Sequence, residues 1–173
     1  MSHPRNFLIL RDIKQFWLPY IDTHPDCVSR DYYQVLKRFP KASPQTFRGL
    51  FDENGSLQAA AAIHVDEKPV FLELLLTAPW RKKGSGSQLL LDIVRESEQV
   101  GANGAIELKS APTAIGFYRK YGFQILKPPA RAEWDTPMRL TAEAASWLLA
   151  NAVETPCGIQ VPQVGSDRTD RFD

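Results

Sequence analysis

The chain has 173 residues, 43% of them hydrophobic and 24% charged, which predicts one domain with one core and excludes collagen-like, coiled-coil and disordered classes. Lys plus Arg total 21 against 20 Asp plus Glu, so the formal net charge is +1 and offers no support for a nucleic-acid partner. The apolar stretch Val70–Leu76 is broken by Glu73 and is far short of the roughly 20 residues of a membrane helix, so no membrane association is expected. Phe7–Leu10 is too short for the apolar core of a signal peptide. Cys27 and Cys157 are the only cysteines and form no C-x-x-C, so a reducing, cytoplasmic setting is expected. His3, His24 and His64 share no ligand spacing, and no bound metal is expected.

Taken in chain order, Phe7–Leu10 reads as a first strand. Asp12 to about Tyr20 reads as a helix with Ile13, Phe16 and Trp17 on one face. Ser29 caps a second helix through about Phe39, burying Tyr32, Val35, Leu36 and Phe39. Thr46–Phe51 and Ser56–Val65 are β-like runs joined around Asn54-Gly55, a hairpin signal. Phe71–Thr77 is a strongly apolar strand, and Ser87–Val100 an amphipathic helix that Gly101 is placed to end. Ala105–Leu108 is a strand and Thr113–Tyr121 a short helix closed by Gly122. Phe123–Leu126 and Met138–Leu140 are strands linked by a Pro-rich loop. Thr141 caps a last helix through Val153, and the tail from Thr155 is polar and turn-rich. This order predicts an α+β domain with a mixed sheet.

The segment Leu74-Leu75-Leu76-Thr77-Ala78-Pro79-Trp80-Arg81-Lys82-Lys83-Gly84-Ser85-Gly86-Ser87 carries the chemistry. An apolar strand enters a basic, glycine-containing loop that opens a helix. Successive loop amides form an anion-binding nest, and the first helical amides and the helix dipole add to it. Gly84 and Gly86 allow a sharp turn and close approach, while Arg81, Lys82 and Lys83 supply whole charges suited to phosphates. No G-x-x-x-x-G-K-[ST] and no complete G-x-G-x-x-G is present.

R-x-x-G-x-G after a strand, at Arg81, Gly84 and Gly86, resembles the coenzyme A pyrophosphate loop of the GNAT N-acetyltransferase superfamily. Downstream, Ile106-Glu107-Leu108-Lys109-Ser110-Ala111-Pro112-Thr113 leads into Phe117-Tyr118 and Gly122-Phe123, similar to the family's strand, turn and tyrosine-bearing helix. One helix and one strand separate the two motifs, as in the family. The resemblance spans about Phe71 to Phe123. It implies a mostly antiparallel mixed sheet flanked by helices, splayed between the fourth and fifth strands. Residues 1–140 would form the transferase domain, and 141–173 an added helix and tail packed on it or at a homodimer contact.

The resemblance also implies acetyl-CoA as cosubstrate and a primary amine, on a small molecule or peptide, as acceptor. The pantetheine arm would pair with the backbone of Leu74, Leu75 and Leu76, with the Leu76 N–H aimed at the thioester carbonyl. Amides of Lys82, Lys83, Gly84, Ser85, Gly86 and Ser87 would hold the pyrophosphate. Tyr118 falls on the family's general acid, which protonates the departing thiolate. Glu73 and Glu107 each interrupt one of the two splayed strands, and either would accept the amine proton, Glu73 by preference. Strict alternation puts Glu73 on the face of Leu75, opposite Leu72, Leu74 and Leu76. Where the family often has Asn before the tyrosine helix, Ser110 or Thr113 stands in as the polar contact. A valine is common at the position of Leu76, and the usual proline is displaced to Pro79. With no cysteine at these motifs, direct attack in a ternary complex is expected. The alternative is a non-catalytic acyl-CoA-binding module. Trp17, Tyr20, Tyr32 and Tyr33 with Asp22, Asp26 and Asp31, and the loop holding Trp134, form the candidate acceptor region.

Overall fold

The computed structural model describes residues 4–27, 33–34, 36–37, 47–156 and 158–162. Of the helix expected at Ser29–Phe39, Tyr33, Gln34, Leu36 and Lys37 are helical, and the remainder, with Asp31 and Tyr32, lies outside the described residues.

The strand expected at Phe7–Leu10 is helical instead. Helix α1 (Pro4–Asp12) continues through a π-helical turn at Ile13–Trp17 into α2 (Leu18–Thr23). Ile9, Ile13, Trp17 and Ile21 recur every four residues and are all buried. A helix brings such a set one above the other on a single stripe, and burying that stripe overrides the β propensity of four apolar residues in a row. Phe7, off the stripe, remains exposed.

Eight strands follow: β1 (Phe47–Phe51), β2 (Leu57–His64), β3 (Val70–Thr77), β4 (Ile106–Ser110), β5 (Gln124–Ile125), β6 (Thr136–Leu140), β7 (Val153–Thr155) and β8 (Gly158–Gln160). The first six form one sheet in the order β1-β2-β3-β4-β6-β5. Its pairs are antiparallel except β3–β4, which run parallel and are joined by the crossover helix α3 (Ser85–Ser97). This is the expected α+β architecture. With Phe7–Leu10 helical, the parallel pair becomes the third and fourth strands rather than the fourth and fifth. Gly101 sits at φ 82° within the π-helical turn that ends α3. Helices α4 (Ile115–Lys120) and α5 (Ala142–Asn151) complete the chain, and Thr141 caps α5 by accepting the Ala144 N–H at 3.2 Å.

Each face of the sheet carries its own core. Ala59, Ala61, Ile63, Val70, Leu72, Ile106 and Leu108 pack with α3, α4 and α5 residues, including Ala145 and Leu148. Ala60, Ala62, Phe47, Leu57 and Leu76 pack with the α1–α2 stripe. The alanine run of β2 is buried on both faces, which lets helices approach the sheet closely from either side.

β3 does not alternate strictly. Its register with β2 pairs Leu72 with Ile63 and Leu74 with Ala62, so Glu73 is an extra residue in a β-bulge. Leu72 therefore packs in the α3-side core, whereas Leu74 and Leu76 pack on the α1–α2 side. The expectation that Leu72, Leu74 and Leu76 share a face fails for this reason.

The turn-rich tail contains strands that its sequence pattern does not announce. β7 and β8 form a separate antiparallel hairpin, and it packs against α3. Among the described residues no helix is long and apolar enough to cross a membrane.

Candidate active site

The site is built where β3, still paired with β2, parts from β4. The β3–β4 pairing covers Val70–Leu72 with Ile106–Leu108 and ends there, while β3 continues from Glu73 to Thr77. The Ala78 N–H donates to the Gln58 carbonyl at 2.9 Å. Antiparallel ladders alternate, so Leu74 and Leu76 also turn their peptide groups toward β2, and Leu75 and Thr77 turn theirs to the β4 side. The Leu76 N–H, expected to face the thioester, faces β2 instead. Of Leu74, Leu75 and Leu76, only Leu75 presents its backbone to the β4 side.

Trp80 anchors the loop that follows. Its ring meets Trp17 at 6.2 Å and Tyr20 at 5.1 Å, both edge-on, so the loop is fastened to the α1–α2 layer. Buried Gln58 holds the next position: its Oε1 accepts the Lys82 N–H at 2.8 Å, and its Nε2 donates to Asp52 at 3.1 Å. The Ser85 N–H donates to the Lys82 carbonyl at 3.2 Å. Lys82 and Ser85 thus do not offer the free amides expected of them. Gly84 adopts φ 92°, the left-handed conformation that favours glycine, and the Gln88 N–H donates to its carbonyl at 3.0 Å to begin α3. Among the described residues nothing accepts from the N–H groups of Lys83, Gly84, Gly86 or Ser87. These four amides, with the dipole of the 13-residue α3 behind them, are what the loop presents to an anion.

The Ser87 hydroxyl is engaged on both sides. It donates to the Gly84 carbonyl at 2.8 Å and accepts the Ile159 N–H at 3.2 Å. Arg81, Lys82 and Lys83 are exposed. Lys82 Nζ lies 3.4 Å from Glu53, a solvated pair that leaves the loop's positive character intact.

On α4, Tyr118 is buried in the larger core with the Phe117 and Phe123 rings packed edge-on at 5.1 and 5.4 Å. Ser110 is buried and donates its hydroxyl to the Ala111 carbonyl at 2.9 Å, while Thr113 is exposed in the short turn before α4.

The two candidate carboxylates have different partners. Glu73 is half exposed and meets His64 Nε2 at 2.8 Å. Glu107 is bound by the Arg139 guanidinium, through Nε at 2.7 Å and through Nη2, across the β4–β6 pair. The Arg139 guanidinium thus occupies Glu107 Oε1 from two of its nitrogens. In the acceptor region, the Tyr33 hydroxyl donates to Asp22 at 2.5 Å, Tyr20 stacks on His24 at 4.3 Å, and Lys37 lies 4.4 Å over the Tyr33 ring. Asp26 and Trp134 are exposed. No group of three or more metal-ligating side chains occurs among the described residues.

His64, Arg139, Gln58, Trp80 and Gly158 were not singled out by sequence reasoning. Gln58 and His64 carried a signal, as the two polar residues that bracket the apolar run Ala59–Ile63.

A family model described as an acetyltransferase (GNAT) domain matches residues 28–142, well over half of the chain. The chain belongs to the GNAT acetyltransferase family. The PaiA N-acetyltransferase of Thermoplasma acidophilum, solved with coenzyme A, is 18% identical with a TM-score of 0.57; 82% of this chain and 96% of that one are covered. An N-acetyltransferase from Lactobacillus plantarum, so far a putative assignment, is 17% identical with a TM-score of 0.58, covering 80% and 92%. Tetrahymena GCN5 is 12% identical with a TM-score of 0.53, covering 79% and 88%. At these identities the likeness is one of fold. No curated protein matches the chain. In this acetyltransferase the matched segment contains the loop, Glu73, Glu107 and Tyr118, whereas α1, α2 and the β7–β8 hairpin lie outside it.

Proposed function

We propose that the protein transfers the acetyl group of acetyl-CoA to a primary amine, by direct attack within a ternary complex. The observation that carries this reading is the set of four amides, Lys83, Gly84, Gly86 and Ser87, at the mouth of α3, which have no partner among the described residues. The coenzyme's diphosphate would sit on these amides, with Arg81, Lys82 and Lys83 around it. Its pantetheine arm would run beside β3 past the last β3–β4 pair, and the Leu75 N–H, turned to that side, would donate to the thioester carbonyl as negative charge develops on it.

Glu73, steadied by His64, would accept the proton of the amine, directly or through water. Glu107, already hydrogen-bonded to Arg139, would instead help shape the open face of the sheet. Tyr118 would return a proton to the departing thiolate. Tyr20, Tyr33 and Asp22 offer aromatic and carboxylate surface for a cationic acceptor before it loses its proton.

Thiol release from acetyl-CoA, measured across a panel of polyamines, amino acids, aminoglycosides and peptides, tests the reading. At least one amine should give turnover above the hydrolytic background. Tight coenzyme A binding with no turnover on any amine would instead favour an acyl-CoA-binding module without catalysis.

A further inference from the structure

The β7–β8 hairpin lies beyond the matched family segment, yet it is seated directly on the phosphate loop. A Cβ placed on Gly158 would lie 2.4 Å from the Gly84 Cα, 2.9 Å from the Ser87 Oγ and 3.2 Å from the Gly84 carbonyl oxygen. Gly158 also has φ +109°, so both its conformation and its surroundings require glycine. The next residue continues the contact, because the Ile159 N–H donates to Ser87 Oγ and Ser87 Oγ donates to the Gly84 carbonyl. The Ile159 side chain is buried in the larger core. Further along α3, Arg95 donates to Glu154 of β7 at 2.9 Å, so the hairpin is fastened to the helix at both ends. The two loop residues it touches, Gly84 and Ser87, are among the four whose amides are unpartnered within the described residues.

We propose that this C-terminal hairpin is part of the coenzyme phosphate site, with Gly158 and Ile159 as positioning residues. The hairpin holds Gly84 in its left-handed conformation and Ser87 in its rotamer, and so aims the amides of Lys83, Gly84, Gly86 and Ser87 at a diphosphate. This rests on the reading of the loop as the coenzyme's diphosphate site. Diphosphate affinity then depends on a segment outside the acetyltransferase domain, and the hairpin contributes nothing to recognition of the pantetheine arm.

The test titrates the full-length protein with coenzyme A and with pantetheine, which has the same arm and thiol but no diphosphate. Wild type should bind coenzyme A. Gly158→Ala should weaken coenzyme A about tenfold, the size of one lost charge-assisted hydrogen bond, and leave pantetheine unchanged. Ser87→Ala, which disturbs the fold less, should act in the same direction, and the double variant should be no weaker than Gly158→Ala alone. Coenzyme A affinity that is unchanged or tighter in Ser87→Ala and in a folded Gly158→Ala would overturn the proposal and leave the site reading standing. Equal weakening of both ligands would also overturn it, since that is the mark of general structural damage. Wild type that fails to bind coenzyme A would overturn the site reading, and the hairpin's role with it.

Discussion

Replacing Glu73 and Glu107 one at a time by Gln separates catalysis from structure. A positioned general base contributes typically 10²–10⁴-fold. Glu73 has 52% of its side-chain surface exposed, so water has access to the same place and can take over part of its work. That puts Glu73→Gln at the lower end, a loss of about 100-fold in kcat/KM for the amine at saturating acetyl-CoA. Glu107→Gln leaves Arg139 without its carboxylate partner. The two side chains are 29% and 43% exposed, so the loss is about 1 kcal/mol, or roughly 3 °C in Tm, with activity within about threefold of wild type. The assay compares two acceptors of similar shape, one with an ammonium pKa well above the assay pH and one well below it. If Glu73 removes the ammonium proton, the weakly basic amine arrives already neutral, and the Glu73→Gln deficit shrinks for it. An equal deficit with both amines, or a larger catalytic loss in Glu107→Gln than in Glu73→Gln, would refute the assignment.

Tyr118→Phe should lower kcat about 10- to 100-fold with little change in KM for acetyl-CoA, because the ring packing against Phe117 and Phe123 survives the substitution. An unchanged acetylation rate at saturating substrates would remove the general-acid role. Gly84→Val forces a β-branched residue to φ 92°, a cost of about 2 kcal/mol, and should raise KM for acetyl-CoA at least tenfold as the loop relaxes. An unaltered KM would mean that the loop does not hold the coenzyme. The Glu154 carboxylate is held below its usual range chiefly by the Arg95 hydrogen bond and further by Gln88, so its contribution is present at neutral pH and fades as pH falls through the depressed value. Asp92 works the other way: burial raises its pKa against the pull of Arg95, so it takes up its proton earlier on acidification and favours the folded state there. The Tm gap between wild type and Glu154→Gln, clear at pH 7, should therefore narrow once the pH falls below the usual glutamate range, and a gap that stays constant through that acid range would contradict the pairing.

Elements that rest on local chemistry were legible. The basic loop after an apolar strand, the glycine at its left-handed position, the amphipathic α3 and the Thr141 cap all follow from near neighbours in sequence, and they appear where the residues place them. Elements decided by distant contacts were not. Phe7–Leu10 looked like a strand because four apolar residues in a row suit one; its helical state follows from a stripe extending to Ile21 that must cover β1 and β2. Lys82 looked like a phosphate donor, but its amide is claimed by a glutamine 24 positions away. Gly158 sits in a turn-rich tail, and nothing near it in sequence announces that it abuts Gly84, 74 positions earlier.

The largest misreading, the facing of β3, comes down to one residue. A charged side chain in the middle of an apolar strand has two ways out of the core: point to the exposed face in phase, or be extruded as a bulge. Glu73 takes the second. The bulge shifts the phase of everything after it, so Leu75 rather than Leu76 turns its peptide group to the β4 side, two residues from the carboxylate itself. In the proposed site a single inserted residue thus sets both the amide that meets the thioester and the carboxylate that meets the amine. A variant with Glu73 deleted would close the bulge and leave Leu72 opposite Ile63 and Leu74 opposite Ala62, so Leu75 and Leu76 keep their facing and only the carboxylate and the local bend are lost. Its activity loss should therefore match that of Glu73→Gln and shrink in the same way for a weakly basic amine. A larger loss that persists with the weakly basic amine would mean that the bend of the bulge itself takes part in placing the thioester.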